Sequence, residues 1–291
     1  MPAPRSILAL LPATPNHAQD LPIMQPLPSE RLPALDPFLL LHHIGPVTFE
    51  PYNDGLPFGP HPHRGFETVT LVLEGEVEHQ DSRGNYGTVG AGGVQWMTAA
   101  RGIIHAENLP ADLRRRGGRL ELLQLWLNLP AARKMEQPAY HNLPAERLPL
   151  LQPAEGVQLT VVAGEWSGVR GPVPSLLPGL RLAFLRLAPT ASYTTLIGPS
   201  ETVLCYVVRG EVVLQNQPVS AQTLVEFAAE GEEITFCASS DVVVLLAAAP
   251  PLREPVVQQG PYVMNTTTQV MEAMRDYALG RMGVFIPYYP G

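Results

Sequence analysis

Cysteine is scarce in this 291-residue chain, with only Cys205 and Cys237 present. Each lies in an apolar, strand-like run, VLCYVV or ITFCAS, so buried reduced thiols are expected and nothing suggests a disulfide framework. An excess of positive charge is also missing: 19 Lys and Arg stand against 27 Asp and Glu, for a net charge of −8. A direct grip on nucleic acid needs a concentrated basic face, so no nucleic-acid contact is expected. The run RRRGGR at 114–119 reads as a solvated loop. No long apolar segment occurs near the start. ILALL follows a single Arg5 and is broken by Pro12, too short for a bilayer span or a secretory signal. A cytoplasmic protein without membrane contact is the expectation. Histidine is absent after His141.

Proline, by contrast, is abundant. The 32 prolines are about twice the usual share of roughly 5%. Because proline interrupts helices and central strands, the composition points to an all-β chain of short strands and loops. The length suggests two domains. Residues 1–36 read as extended chain, a strand or two plus an arm, and FLLLHHIGPVTFE as a buried strand and a turn. Adjacent His42 and His43 face opposite ways on a strand, so at most one could approach a site, and a hydrogen-bonded structural histidine is the expectation. Prolines at 138, 144, 149 and 153 mark a connection. The domains are therefore expected at 1–135 and 150–291.

The chain is organised around residues 55–107. His61 and His63 open this stretch two residues apart, and His105 and Glu107 close it with the same spacing. Residues i and i+2 of a strand share a face, so each pair can aim two ligands into one space. Pro62 favours the extended form. Between the pairs, TVTLVLEGEVEHQD alternates, with turns at EG and SRGNYG. If a barrel joins the pairs, a His3Glu metal site results. His79 and His141 lack comparable context and are expected on the surface.

The span HPHRGFETVTLVLEGEVEHQDSRGNYGTVGAGGVQWMTAARGIIHAE resembles the signature of the pirin family, within the cupin superfamily. LDPFLLLHHIGP and GPYVMNT resemble its flanking segments. His42 departs from the pattern, in which an acid precedes the histidine. The general cupin pattern is matched by Gly55, His61, His63 and Glu67. In pirins, however, the resemblance assigns the ligands to His61, His63, His105 and Glu107, leaving Glu67 structural or beside the site. Spacing is compatible with that choice, since Glu67 would sit roughly 13 Å beyond His63 along one strand at about 3.3 Å per residue.

In the second half, RGEV at 209–212 repeats EGEV at 74–77, which implies a bicupin of jelly-roll β-barrels. Aligning Gly210 with Gly75 places Leu196 and Gly198 where His61 and His63 stand, so the second barrel cannot hold the same site. A helix is expected over NTTTQVMEAMRDYALG, capped by Asn265 or Thr266, stopped at Gly280 and packed through Val270, Met271, Met274 and Tyr277. The resemblance suggests that this tail returns to the first domain.

Three imidazoles and one carboxylate leave two octahedral positions open, enough for a bidentate substrate or for substrate and O2. The donor set suits one divalent transition metal, Fe(II) first, with Cu, Ni, Mn and Zn open. The resemblance implies a flavonol-cleaving dioxygenase of the quercetin 2,3-dioxygenase type, in which Glu107 serves as ligand and base for a small aromatic, flavonol-like substrate. It also implies an alternative: a non-enzymatic, iron-dependent redox regulator binding a transcription factor or metabolic enzyme as protein partner. A third reading makes the barrel purely structural.

Overall fold

A computed structural model of the protein describes residues 2–16 and 21–288. The part of the extended-chain expectation that falls on residues 17–20 lies outside the described residues. Alternation in TVTLVLEGEVEHQ produces the strands Phe66–Glu74 and Glu76–Asp81. They belong to different sheets, so Gly75 turns a corner between sheets. There φ is +83° and an added Cβ would lie 2.3 Å from the Arg119 carbonyl, a conformation and a space that suit glycine. The SRGN turn does join a hairpin, between Glu76–Asp81 and Tyr86–Gly90.

The chain divides into two units. One comprises residues 16–23, 41–146 and 253–291. In it Ala139–Leu143, Val94–Thr98, Phe66–Glu74, Gly118–Asn128 and Phe38–Phe49 are successive neighbours in one sheet. A second sheet runs in the order Phe58–His63, Ile103–Asn108, Glu76–Asp81, Tyr86–Gly90. The helix Thr267–Ala278 carries a capping box, Thr266 accepting from the Gln269 amide and Gln269 reaching back. Its buried residues are Val270 and Ala273, packed with Ile104, Tyr262 and Met264. The expected stripe is only partly right. Met271, Met274 and Tyr277 are exposed, because the narrow contact is made through the i, i+3 pair. An unexpected short helix, Ala111–Arg116, takes up half of the basic run, and Arg115 and Arg116 pair with Asp112 in it.

The other unit comprises residues 1–15, 24–40 and 147–252. Its seven-stranded sheet runs from Ile7–Pro12 through Thr223–Phe227, Thr202–Arg209, Val242–Ala249, Arg181–Leu187 and Val157–Ala163 to Leu150–Leu151. Its four-stranded sheet, Ser192–Leu196, Glu233–Ala238, Glu211–Leu214, Gln217–Ser220, repeats the order found in the first unit. Gly210 repeats Gly75, with φ +83° and a Cβ position 2.2 Å from the Asp241 carbonyl. Tyr193, Ile234, Phe236 and Val212 fill the interior. Cys205 is buried, but Cys237 is exposed, since alternation turns it away from the face that carries Phe236.

The units are discontinuous in sequence, whereas the expectation from the sequence is spans of 1–135 and 150–291 with the tail of the second returning to the first. Ile7–Pro12 pairs antiparallel with Thr223–Phe227, which draws the chain's start into the unit of residues 147–252. Residues 253–291 cluster with 41–146. Among the described residues, no helix is long and apolar enough to cross a membrane.

Candidate metal centre

The strand Phe58–His63 pairs antiparallel with Ile103–Asn108, placing His105 opposite His61. On its other side Ile103–Asn108 pairs with Glu76–Asp81, with His105 opposite Asp81 and Glu107 opposite His79. The register shifts between His105 and Glu107, a bulge that re-aims side chains locally. His61, His63 and His105 offer ligand atoms that all lie within 4.8 Å of one another. Among the described residues, no other His, Cys, Asp or Glu group could hold a metal ion. His63 and His105 are buried, while His61 is partly exposed and so opens the cluster to solvent.

The proton positions of His61 and His105 suit a cation. His61 Nδ1 donates to the Gly59 carbonyl at 2.7 Å, which leaves Nε2 as a lone pair. That atom lies 3.1 Å from His63 Nε2. His105 Nε2 is buried without a hydrogen-bond partner. Burial, then the neighbouring His61, holds His63 well below the usual histidine range, with the Pro261 backbone opposing. Burial and the surrounding histidines do the same to His105. The neutral imidazoles that a divalent metal requires are therefore favoured, and the donor set fits such an ion.

Glu107 is buried but lies outside the three-histidine group. Its oxygens accept from Thr70 Oγ1 at 2.7 Å and Gln124 Nε2 at 2.8 Å, and Gln124 accepts in turn from Trp126 Nε1 at 3.3 Å. Trp126 and Phe66 pack edge-on against His63. Glu67 is not on the strand of His63, because the chain breaks at Arg64 and Gly65 before Phe66–Glu74 begins. It is fully buried and accepts from Thr98 Oγ1 at 2.6 Å. His43 bonds Glu121 at 2.8 Å in the buried core, and burial pushes partly buried His42 down to about 4.

His79 departs most from expectation. It is buried, not on the surface. Its Nδ1 is 3.4 Å from His105 Nδ1, its Nε2 is 3.2 Å from Asp81 Oδ2, and Tyr140 stacks on it at 4.1 Å. Burial works to raise Asp81, yet hydrogen bonds from His79, Asn85 and Arg83 hold it below the usual carboxylate range. The signal was present in the sequence: His79 and Asp81 stand two apart on a strand, as His61 and His63 do. His141 lies partly buried on the strand Ala139–Leu143, away from the histidine group.

These features define a double β-barrel protein with, among the described residues, one histidine cluster, confined to one barrel. Residues 20–127 match the family model described as Pirin, and residues 182–283 match the Pirin C-terminal cupin domain. The chain belongs to the pirin family, and both barrels are cupins. Human Pirin is 38% identical over 261 residues, covering 86% of this chain and 83% of that protein. The structure of quercetin 2,3-dioxygenase from Acinetobacter baumannii is 35% identical, with TM-score 0.91, and covers 98% of this chain and 100% of that one. Escherichia coli pirin YhhW in complex with nickel(II) is 26% identical, with TM-score 0.66, and covers 84% of this chain and 99% of that one.

Proposed function

We propose that this pirin is a metal-dependent dioxygenase acting on flavonols, of the quercetin 2,3-dioxygenase type, with His61, His63, His105 and Glu107 as its metal ligands. The observation that carries this reading is the convergence of three imidazoles, the donor of one of them buried and unsatisfied. The likeness to the Acinetobacter quercetin 2,3-dioxygenase over nearly the whole chain supports it. When bound, a divalent Fe(II) or Ni(II) ion supplies a positive centre for an oxyanionic substrate and access to O2 chemistry.

The chain's own residues do the rest. His61 stands at the partly exposed edge, where a planar phenolic substrate enters. Glu107 takes the proton of the substrate's 3-hydroxyl, and Thr70 and Gln124 keep its carboxylate oriented until then. Trp126 and Phe66 form an aromatic wall beside His63 that excludes water.

The test is metal analysis of protein purified without a histidine tag, followed by oxygen uptake with quercetin and a catechol panel after loading with Fe(II) or Ni(II). Metal-dependent uptake with quercetin is expected. Glu107→Gln should lower it about 10²–10⁴-fold, the usual loss with a positioned base, and His63→Ala should lose the metal. Absence of uptake from metal-loaded protein with every flavonol tried overturns the enzymatic reading.

A further inference from the structure

Metal-binding histidines almost always have their second ring nitrogen held by a partner, and that partner decides which nitrogen keeps its lone pair. For His61 the partner is a carbonyl, which has no alternative but to accept. For His105 it is another histidine, which can either donate or accept, so the choice has to be made further out. Resting on the metal-centre reading above, we propose that Asp81 and His79 form a relay that fixes the His105 proton on Nδ1. They are thus positioning residues of the centre.

The argument starts at Asp81. Its Oδ1 accepts from the backbone amides of Arg83 at 2.8 Å and Asn85 at 3.1 Å, and its Oδ2 accepts from Asn85 Nδ2 at 2.8 Å. The same Oδ2 faces His79 Nε2 at 3.2 Å. An ionised carboxylate only accepts, so His79 carries its proton on Nε2 and presents a lone pair at Nδ1. Two ring nitrogens can bond only if one of them donates. His105 Nδ1, 3.4 Å away, is therefore the donor. The atom left without a proton is His105 Nε2, the same buried nitrogen that lacks a hydrogen-bond partner. Tyr140, stacked on the His79 ring with the two planes 7° apart, helps to hold the plane of that ring.

Exchanging the carboxylate for an amide should invert the chain of protons. In Asp81→Asn the amide oxygen can keep the two backbone bonds, while the NH2 group faces His79 Nε2 and donates to it. His79 then protonates at Nδ1, and His105 must carry its proton on Nε2, where a ligand lone pair is needed. The new NH2 group also meets Asn85 Nδ2. The double variant Asp81→Asn/Asn85→Asp removes that conflict and restores the net charge.

The experiment reads the imidazole tautomers of metal-free protein by long-range 15N–1H NMR, and Ni(II) affinity by titration. In the unsubstituted protein His105 should be the Nδ1–H tautomer. In both variants it should be the Nε2–H tautomer, with Ni(II) bound about 10–100-fold more weakly, the usual loss when a ligand's outer partner is removed. Melting of the metal-free double variant within a few degrees of the parent shows that the fold is kept. The relay is overturned if His105 already carries its proton on Nε2 in the parent, or if the double variant keeps the parent tautomer and affinity. A parent that shows the Nδ1–H tautomer yet binds no Ni(II) supports the relay and overturns the metal-centre reading instead.

Discussion

Lys134 is the chain's only lysine, and it is 1% exposed. Its Nζ donates to the Gly65 carbonyl at 2.7 Å, Asn128 Oδ1 at 2.5 Å and the Val263 carbonyl at 3.0 Å. It thus ties the turn that follows His63 to the strand Tyr262–Met264. Burial pushes its ammonium down to about 7, with Glu254 pulling the other way. An unfolded chain keeps the proton up to the ordinary value of 10.5. Between those two values the unfolded state binds more protons, so this residue's contribution to stability rises with pH through the window. Below it the cost of the buried charge is fully present. Urea titrations at pH 7 and pH 9 should show the protein gaining stability, by at most about 2.7 kcal/mol from this group. Lys134→Met should flatten that gain. It should also lower stability at pH 9 by about 2–4 kcal/mol, since the neutral amine's two N–H donors are lost to buried acceptors. Equal pH slopes in parent and variant would refute the titration.

At the scale of elements, the corner at Gly75 can be separated from backbone conformation by comparison with Gly84. Both have φ +83°, but a Cβ at Gly84 meets nothing within 4 Å, whereas one at Gly75 meets the Arg119 carbonyl at 2.3 Å. Gly84→Ala should therefore cost about 1 kcal/mol, the left-handed penalty alone. Gly75→Ala should cost at least about 2 kcal/mol more, because backbone has to move. Similar melting temperatures for the two variants would show that the corner yields freely. Elements of this kind mark the boundary of what the sequence made legible. Alternation exposed the strands and the i, i+2 pairs His61/His63 and His105/Glu107, because strand geometry is local. The corner at Gly75 and the break at Arg64–Gly65 look like ordinary glycine turns until sheet membership is known. That is why Glu67 read as an extension of the His63 strand. The His79–Asp81 spacing is local, but its link to the site runs through His105, 26 residues away, a separation that no periodicity reports. The apolar stripe of Thr267–Ala278 is wider than the contact it makes, because helical spacing names a face without saying how wide its contact is.

The molecule as a whole builds one strand order twice and fills the two interiors differently. In the unit of residues 147–252 the interior holds Tyr193, Ile234 and Phe236, each worth about 1.5–3 kcal/mol when fully buried. In the unit of residues 41–146 the corresponding four-stranded sheet contributes His61, His63 and His105, and the buried ring nitrogens His63 Nδ1 and His105 Nε2 have no hydrogen-bond partner, which is unfavourable. That unit should therefore be the one a bound ion stabilises. Ni(II) at about 100 times its dissociation constant adds roughly 2.7 kcal/mol, which corresponds to about a 100-fold slowing of exchange for amides released by opening of that unit. Hydrogen exchange with and without Ni(II) should show this slowing along Phe58–His63, Ile103–Asn108 and Glu76–Asp81. Ser192–Leu196 and Glu233–Ala238 should remain unchanged, and binding should saturate at one ion per chain. His105→Ala should abolish the effect and leave exchange along Glu233–Ala238 as it was. Slowing of equal size in both four-stranded sheets, or two ions per chain, would mean that the apolar barrel takes part in binding and that the division of labour between the repeats is wrong.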